Sequence, residues 1–250
     1  MKRWRIGLIA TLATLASLAQ AGEFRLAAAS NLQPLIQALS QDYTRQTGHT
    51  LQTSFGASGK LFAQISHGAP FDVLMSADLK YPQALLKQGQ AQAPLVHNAN
   101  GVLVIWTAGK TLPPDWPAWL QSAAVQKIAI AHPDTAPYGR EALRVMQSIL
   151  PAVQHKLVYG ENIAQTSQFI LSGAAQVGFS AKSIVANPAQ RPVGTWREIP
   201  QSQHQPIAQG AVITQRGAGN PAAQAFMTYL QSAAAKTLLR QYGYLPAKAE

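Results

Sequence analysis

Apolar positions along this chain come in short runs whose period switches between two and about 3.6. Phe24-Arg25-Leu26-Ala27-Ala28 reads as a strand. From Leu32 to Thr47, the residues Leu32, Leu35, Ile36, Leu39 and Tyr43 recur at helical spacing until Gly48 stops them. Pro34 falls in the first turn, where the missing amide is no loss. Thr50 to Phe55 alternates as a strand. Ser58 then caps a predicted helix with Leu61, Phe62 and Ile65 inward, closing near Gly68. Phe71 to Met75 is a third strand, and Tyr81 to Lys87 a short helix stopped by Gly89. This β-α-β-α-β-α order predicts a parallel sheet with helices on both faces.

The rhythm then resumes. Gly101 to Trp106 is the strongest strand pattern in the chain, and the Pro- and Trp-rich stretch Thr111 to Pro117 reads as loop. Strands are predicted at Lys127–Ala131, Lys156–Tyr159, Gln176–Ser180 and Pro206–Thr214. Helices are predicted from Pro137, with Leu143, Val145, Met146 and Ile149 inward, and over Asn162–Leu171. Pro221 to Arg240 holds the last amphipathic helices, with Phe226, Leu230, Leu238 and Leu239 inward. No repeat of fixed period is present. Two successive β-α-β units split near Asn98 to Gly101 outline an α/β protein of two lobes with a cleft between them.

The N-terminus changes the picture. Met1-Lys2-Arg3-Trp4-Arg5 leads into a run from Ile6 to Leu18 of small and apolar residues with Thr and Ser, and Ala19-Gln20-Ala21 follows. A basic start, a short apolar stretch and small residues at a cut site predict a secretory signal peptide over residues 1–21, with the mature chain starting at Gly22. The run falls short of the ~20 residues of a spanning helix. Cysteine is absent, so the exported chain must be held by its apolar core. Hydrophobic residues make up 47% of the 250, which fits a globular protein. Net charge is +10, and Lys2, Arg3 and Arg5 leave with the signal peptide, so the mature chain carries +7. Beyond position 5 no two basic residues adjoin. That scatter argues against nucleic-acid binding and for a solvated basic surface with mild attraction for anions.

Four places share one grammar, in which a strand ends and a small, Asn or Pro residue opens a helix. They are Ser30-Asn31, Ser58-Gly59, Ala136-Pro137-Tyr138-Gly139 and Glu161-Asn162-Ile163. Ligands of parallel sheets bind at such strand ends, and helix N-termini there offer unpaired amides with a partial positive charge. On spacing alone, each turn reads equally as an ordinary N-cap. Enzyme motifs fail. Gly56-Ala57-Ser58-Gly59 has its second glycine one residue early for a nucleophile elbow. Gly59-Lys60 is followed by Leu61, and Ser54 stands where a phosphate loop needs glycine. Ser58 and Lys60 are too close for S-x-x-K. His49, His67, His97, His132, His155 and His204 show no metal-ligand spacing. Asp72 and Asp78 flank a strand without a partner motif, and Asp78 reads as a helix cap.

Three segments carry a resemblance: Ala27-Ala28-Ala29-Ser30-Asn31-Leu32, Ser54-Phe55-Gly56-Ala57-Ser58-Gly59-Lys60-Leu61, and Gly68-Ala69-Pro70-Phe71-Asp72-Val73-Leu74-Met75-Ser76-Ala77-Asp78. With Ala131-His132-Pro133, Ala136-Pro137-Tyr138-Gly139, Gly160-Glu161-Asn162-Ile163, Val177-Gly178-Phe179 and Tyr242-Gly243-Tyr244, they resemble the periplasmic molybdate-binding proteins of ABC transporters, over nearly the whole mature chain. The resemblance implies a two-lobed periplasmic binding fold, each lobe a mostly parallel sheet flanked by helices, with the ligand in the cleft. It implies lobe 1 over 22–99 and 216–250 and lobe 2 over 100–215. It further implies molybdate or tungstate as ligand, no cofactor, no catalysis, an ABC permease as partner, a periplasmic location and a monomer. Carried over by position, Ser30 and Ser58 would bond the metal oxyanion by hydroxyl and backbone, Asn31 matches an asparagine of some members, and Tyr138 and Ile163 match backbone donors of the second lobe. One branch has a tyrosine where this chain has Ala181, which leaves Asn31 or Tyr138 to supply that bond. Two rivals stand beside this reading: the same fold with sulfate, phosphate, chromate or a phosphonate as cargo, and an exported hydrolase using Ser58 or Ser30 as nucleophile.

Overall fold

The computed structural model describes residues 21–247 except positions 110 and 192. Apart from Ala21, the expected signal peptide lies outside the described residues. The first lobe opens β1 (Glu23–Ala29), a 3₁₀ turn (Ser30–Leu32), α1 (Gln33–Thr47), β2 (Thr50–Gly56), α2 (Ser58–Ser66), β3 (Val73–Ser76), α3 (Lys80–Lys87) and β4 (Ala91–Gly101). The second holds β5 (Leu103–Thr107), α4 (Trp116–Gln121), β6 (Ile128–Ala131), α5 (Pro137–Ile149), β7 (Leu157–Gly160), α6 (Ile163–Leu171), β8 (Val177–Ala181), α7 (Lys182–Val185) and β9 (Thr195–Glu198). The chain then returns through β10 (Ile207–Thr214), α8 (Pro221–Tyr229), α9 (Ala233–Gln241) and β11 (Leu245–Pro246).

The first sheet has six strands in the order β11-β4-β10-β3-β1-β2, and the second five in the order β7-β6-β8-β5-β9. The β-α units pair in parallel, β2 and β3 on β1 and β7 and β8 on β6. The strands next to the lobe crossings, β4, β5 and β10, run antiparallel to their neighbours. Both sheets are therefore mixed rather than mostly parallel. The chain leaves the first lobe along β4 and returns along β10, so these neighbours run in opposite directions from the paired residues Gly101 and Ile207; Val102 alone lies between β4 and β5. One expected assignment changes. Residues 207–214, read within lobe 2, form β10, which bonds β3 and β4 in the first sheet. The chain returns to the first lobe before this strand, not after it.

Elements that escape the hydrophobic pattern include β4, α4 and β9, besides the short α7 and β11. The stretch of β4, Ala-Gln-Ala-Pro-Leu-Val-His-Asn-Ala-Asn-Gly, has poor strand propensity and is held by β10, with a register shift that leaves Asn98 unopposed. Helix α4 begins inside the predicted loop, where Asp115 caps it by accepting from the Ala118 amide. The short edge strand β9 pairs only with β5 within its sheet.

Strands β5, β6 and β8 are buried along their whole length, as strands covered on both faces must be. On one side of the first sheet, α1 and α8 close over Phe24. Phe226 lies 5.0 Å from the Phe24 ring and 5.3 Å from that of Tyr43, and the Tyr43 hydroxyl donates to the Ala222 carbonyl. Replacing fully buried Phe226 by Ala should lower unfolding free energy by about 3–5 kcal/mol, read from urea denaturation; a loss under about 1 kcal/mol would mean that this cluster does not anchor α8.

Candidate functional site

Three helical segments start at the seam between lobes, and none has a side-chain cap. The positions that would carry one are Ala29 before the 3₁₀ turn, Ala57 before α2 and Ala136 before α5. Alanine is a poor cap, and each such choice forgoes about 1 kcal/mol of helix stability. No capping side chain covers their first-turn amides. Ser58, expected to be a cap, is instead the first helical residue; its hydroxyl accepts from the Ala77 amide at 3.0 Å. Ser30 likewise starts its turn, and its hydroxyl has no partner among the described residues. The fourth turn differs. Asn162 caps α6 by accepting from Ala164 and Gln165, leaving the amide of Ile163 in front of the cap.

These four starts surround one cavity. Ser30, Asn31, Ser58, Tyr138 and Ile163, all buried, line it together with Ala29, Gly56, Ala57, Ala77, Ala136 and Pro137. The cavity volume is about 10 Å³, far below the roughly 300–1,000 Å³ of pockets for drug-sized ligands, so only a small guest fits. No lining residue is charged. No histidine or carboxylate is among them to activate either serine.

The lobes meet around this cavity. Ser183 Oγ donates to the Asn31 carbonyl at 2.8 Å, the Gly59 amide to the Thr135 carbonyl at 2.8 Å, and the Tyr81 hydroxyl to the Asp134 carbonyl at 3.0 Å. Both Nη atoms of Arg140 on α5 reach Asp78 Oδ2, at 3.2 and 3.1 Å. Asp78 also accepts from the Tyr81 amide, so the expected cap is at the same time a bridge between lobes. Lys60 pairs with Glu161 at 2.8 Å, both half exposed, so the pair adds little and screens easily.

Over residues 24–245 the chain matches the family of bacterial extracellular solute-binding proteins. It belongs to that family. Within it, this solute-binding protein stands with the periplasmic molybdate-binding proteins. It is 38% identical to the molybdate-binding protein ModA of Azotobacter vinelandii over 233 residues, 92% of each chain. It is 36% identical to ModA of Rhodobacter capsulatus over 91% of this chain and 90% of that one. The solved periplasmic molybdate-binding protein of Azotobacter vinelandii superposes with a TM-score of 0.83 at 31% identity, covering 90% of this chain and all of the other. The sulfate-binding protein SubI of Mycobacterium tuberculosis, at 16% identity, shares the fold alone; its TM-score is 0.75 over 91% of this chain and 88% of its own.

In this solute-binding protein the side chain of Asn31 is committed elsewhere. Its Nδ2 donates to Gln209 Oε1 and to the Tyr244 hydroxyl, each at 2.9 Å, which uses both amide hydrogens. Tyr244 in turn donates to the Asn31 carbonyl at 2.9 Å. What Asn31 keeps for the cavity is its backbone. Ala181, the position where one branch has tyrosine, is fully buried at the end of β8 and pairs with Leu103. Burial pushes the pKa of the Tyr138 hydroxyl well above its ordinary value, with the Tyr244 hydroxyl adding to the shift; burial likewise raises Tyr244. Both phenols stay neutral, so neither sets a negative charge beside the cavity. The buried tie among Asn31, Gln209 and Tyr244 was invisible at sequence level, since 178 and 213 residues separate the partners. Asn31→Leu should strip both acceptors of their donor and lower stability by about 1–3 kcal/mol, measured by chemical denaturation. An unchanged midpoint would show that the tie carries no load.

Proposed function

We propose that this solute-binding protein captures molybdate, and tungstate as its equal in charge and shape, and hands it to an ABC permease. The observation that carries the reading is the set of alanine-preceded, uncapped starts from both lobes around one small uncharged cavity. Ser30 and Ser58 supply hydroxyls and amides from the first lobe, and Asn31 its amide. Tyr138 and Ile163 supply amides from the second. The protein acts as a monomer in the periplasm after loss of its signal peptide, without cofactor, nucleic acid or catalysis.

The chemistry of the lining favours a fully ionised tetrahedral anion. Phosphate at neutral pH carries a proton that wants a strong acceptor, and the cavity lining has no carboxylate. Sulfate is ionised like molybdate but smaller, so fixed donors separate the two by distance. A cation in the lining would attract both alike and add no selectivity. Fixed dipoles also let the anion go when the lobes part, which delivery requires.

Calorimetric titration with molybdate, tungstate, sulfate, phosphate and chromate tests the reading. Molybdate should bind one per chain and, at a hundredfold excess over Kd, stabilise the fold by about 2.7 kcal/mol. Heat with sulfate or phosphate and none with molybdate overturns it. The serines separate by mechanism. Ser30→Ala should cost about ten- to a hundredfold in affinity with the melting point of the free protein unchanged. Ser58→Ala should lose affinity and also melt lower, because the Ala77 amide loses its acceptor. Wild-type affinity in both variants would remove the serines from the site.

A further inference from the structure

Gly101 ends β4 one residue before the chain enters the second lobe, and its partner across the ladder, Ile207, opens β10 just after the chain returns. The two crossings therefore lie side by side at this pair. Gly101 does not have a positive φ, so its backbone does not call for glycine. Space does. A Cβ there would lie 2.1 Å from the Tyr138 hydroxyl oxygen, 2.9 Å from its ring and 3.0 Å from Gln209 Nε2.

Tyr138 reaches this seat from the other lobe. Its residue sits in the first turn of α5 and lines the cavity, while its ring runs to the crossing strand. The hydroxyl is buried and has no hydrogen-bond partner among the described residues. A phenol kept without a partner is a standing cost that phenylalanine would avoid. What the oxygen supplies here is length.

We propose that Tyr138 is the stop that sets how far the cleft closes, that Gly101 is its seat, and that this contact tunes the site to the larger tetrahedral oxyanions; the proposal rests on the oxyanion reading of the cleft. Closure is a rotation about the crossings. As the lobes turn together, the amides of Tyr138 and Ile163 approach Ser30 and Ser58 until the tyrosine meets the glycine. The spacer lies between cavity and hinge, so bulk added there holds the jaw wider and bulk removed lets it close further. Tyr138 is thus a positioning residue through its ring, besides what its amide offers.

The test is titration of molybdate and of sulfate into wild type, Tyr138→Phe and Gly101→Ala. Tyr138→Phe should shift the molybdate-to-sulfate preference toward the smaller anion by about tenfold, with stability equal to wild type or higher. Gly101→Ala should shift it the other way, weakening both anions and sulfate the more, and Tyr138→Phe added to it should recover part of the loss. Unchanged preference in Tyr138→Phe overturns the proposal, as does a shift of the same sign in both single variants. Should Gly101→Ala fail to fold, the Tyr138→Phe preference decides alone. Wild type that binds neither anion would sink the oxyanion reading itself, a different failure from wild-type binding with insensitive variants.

Discussion

Three helical segments of this protein begin without a side-chain cap for their first amides, and much of the seam is arranged around that deficit. Unsatisfied amides in a buried place are costly unless something accepts from them. The chain answers part of the need itself. The Thr135 carbonyl from the second lobe takes the Gly59 amide, and Asn162 takes two amides of α6. The remainder converge on a cavity whose walls are small: Ala29, Gly56, Ala57, Ala77 and Ala136. Small walls let donors approach a guest closely, and they offer no charge or long side chain to compete with it. Helix dipoles then set the sign of the guest, since several positive ends face one point.

Much of the layout is legible in the residues. Leu35, Ile36, Leu39 and Tyr43 mark α1 because a helix of this kind has one face on a sheet, and all four are buried. Ser30, Ser58, Tyr138 and Ile163 could be gathered into one site because each stands where strand pattern gives way to helix. The detail of the turns was less legible. Serine is a better cap than alanine, so local propensity assigns the cap to Ser58; the folded chain shifts it to Ala57 and spends the hydroxyl on the Ala77 amide. Strand β4 was illegible for a related reason. Pro94, Asn98 and Asn100 speak against a strand, and only the long-range partners β10 and β11 make it one. The place of β10 in the first sheet follows from the same pairing. Sequence periodicity reports which face is buried, and it is silent on which neighbour buries it.

The contacts between the lobes differ in kind, and that shapes how the molecule moves. The carbonyl-accepted bonds at Thr135, Asp134 and Asn31 are short range and directional. The pair of Asp78 with Arg140 is partly shielded, while that of Lys60 with Glu161 is open to water and salt. The first group fixes the register of the two faces, and the charged pairs guide their approach. The apolar core is continuous through the seam, with Ala29, Ala57, Ala136, Tyr138 and Ile163 all in one buried cluster. Parting the two faces would therefore wet apolar surface.

Val102 alone separates β4 from β5, and this has a mechanical meaning. The two sheets are joined by almost no slack, so neither can tumble against the other as beads on a string would. A twist of the second lobe is transmitted into an eleven-residue strand whose near end, Ala99 and Asn100, holds β11 and whose far end, Ala91 and Gln92, lies beside β10. What turns the second lobe is then felt at once in the first sheet.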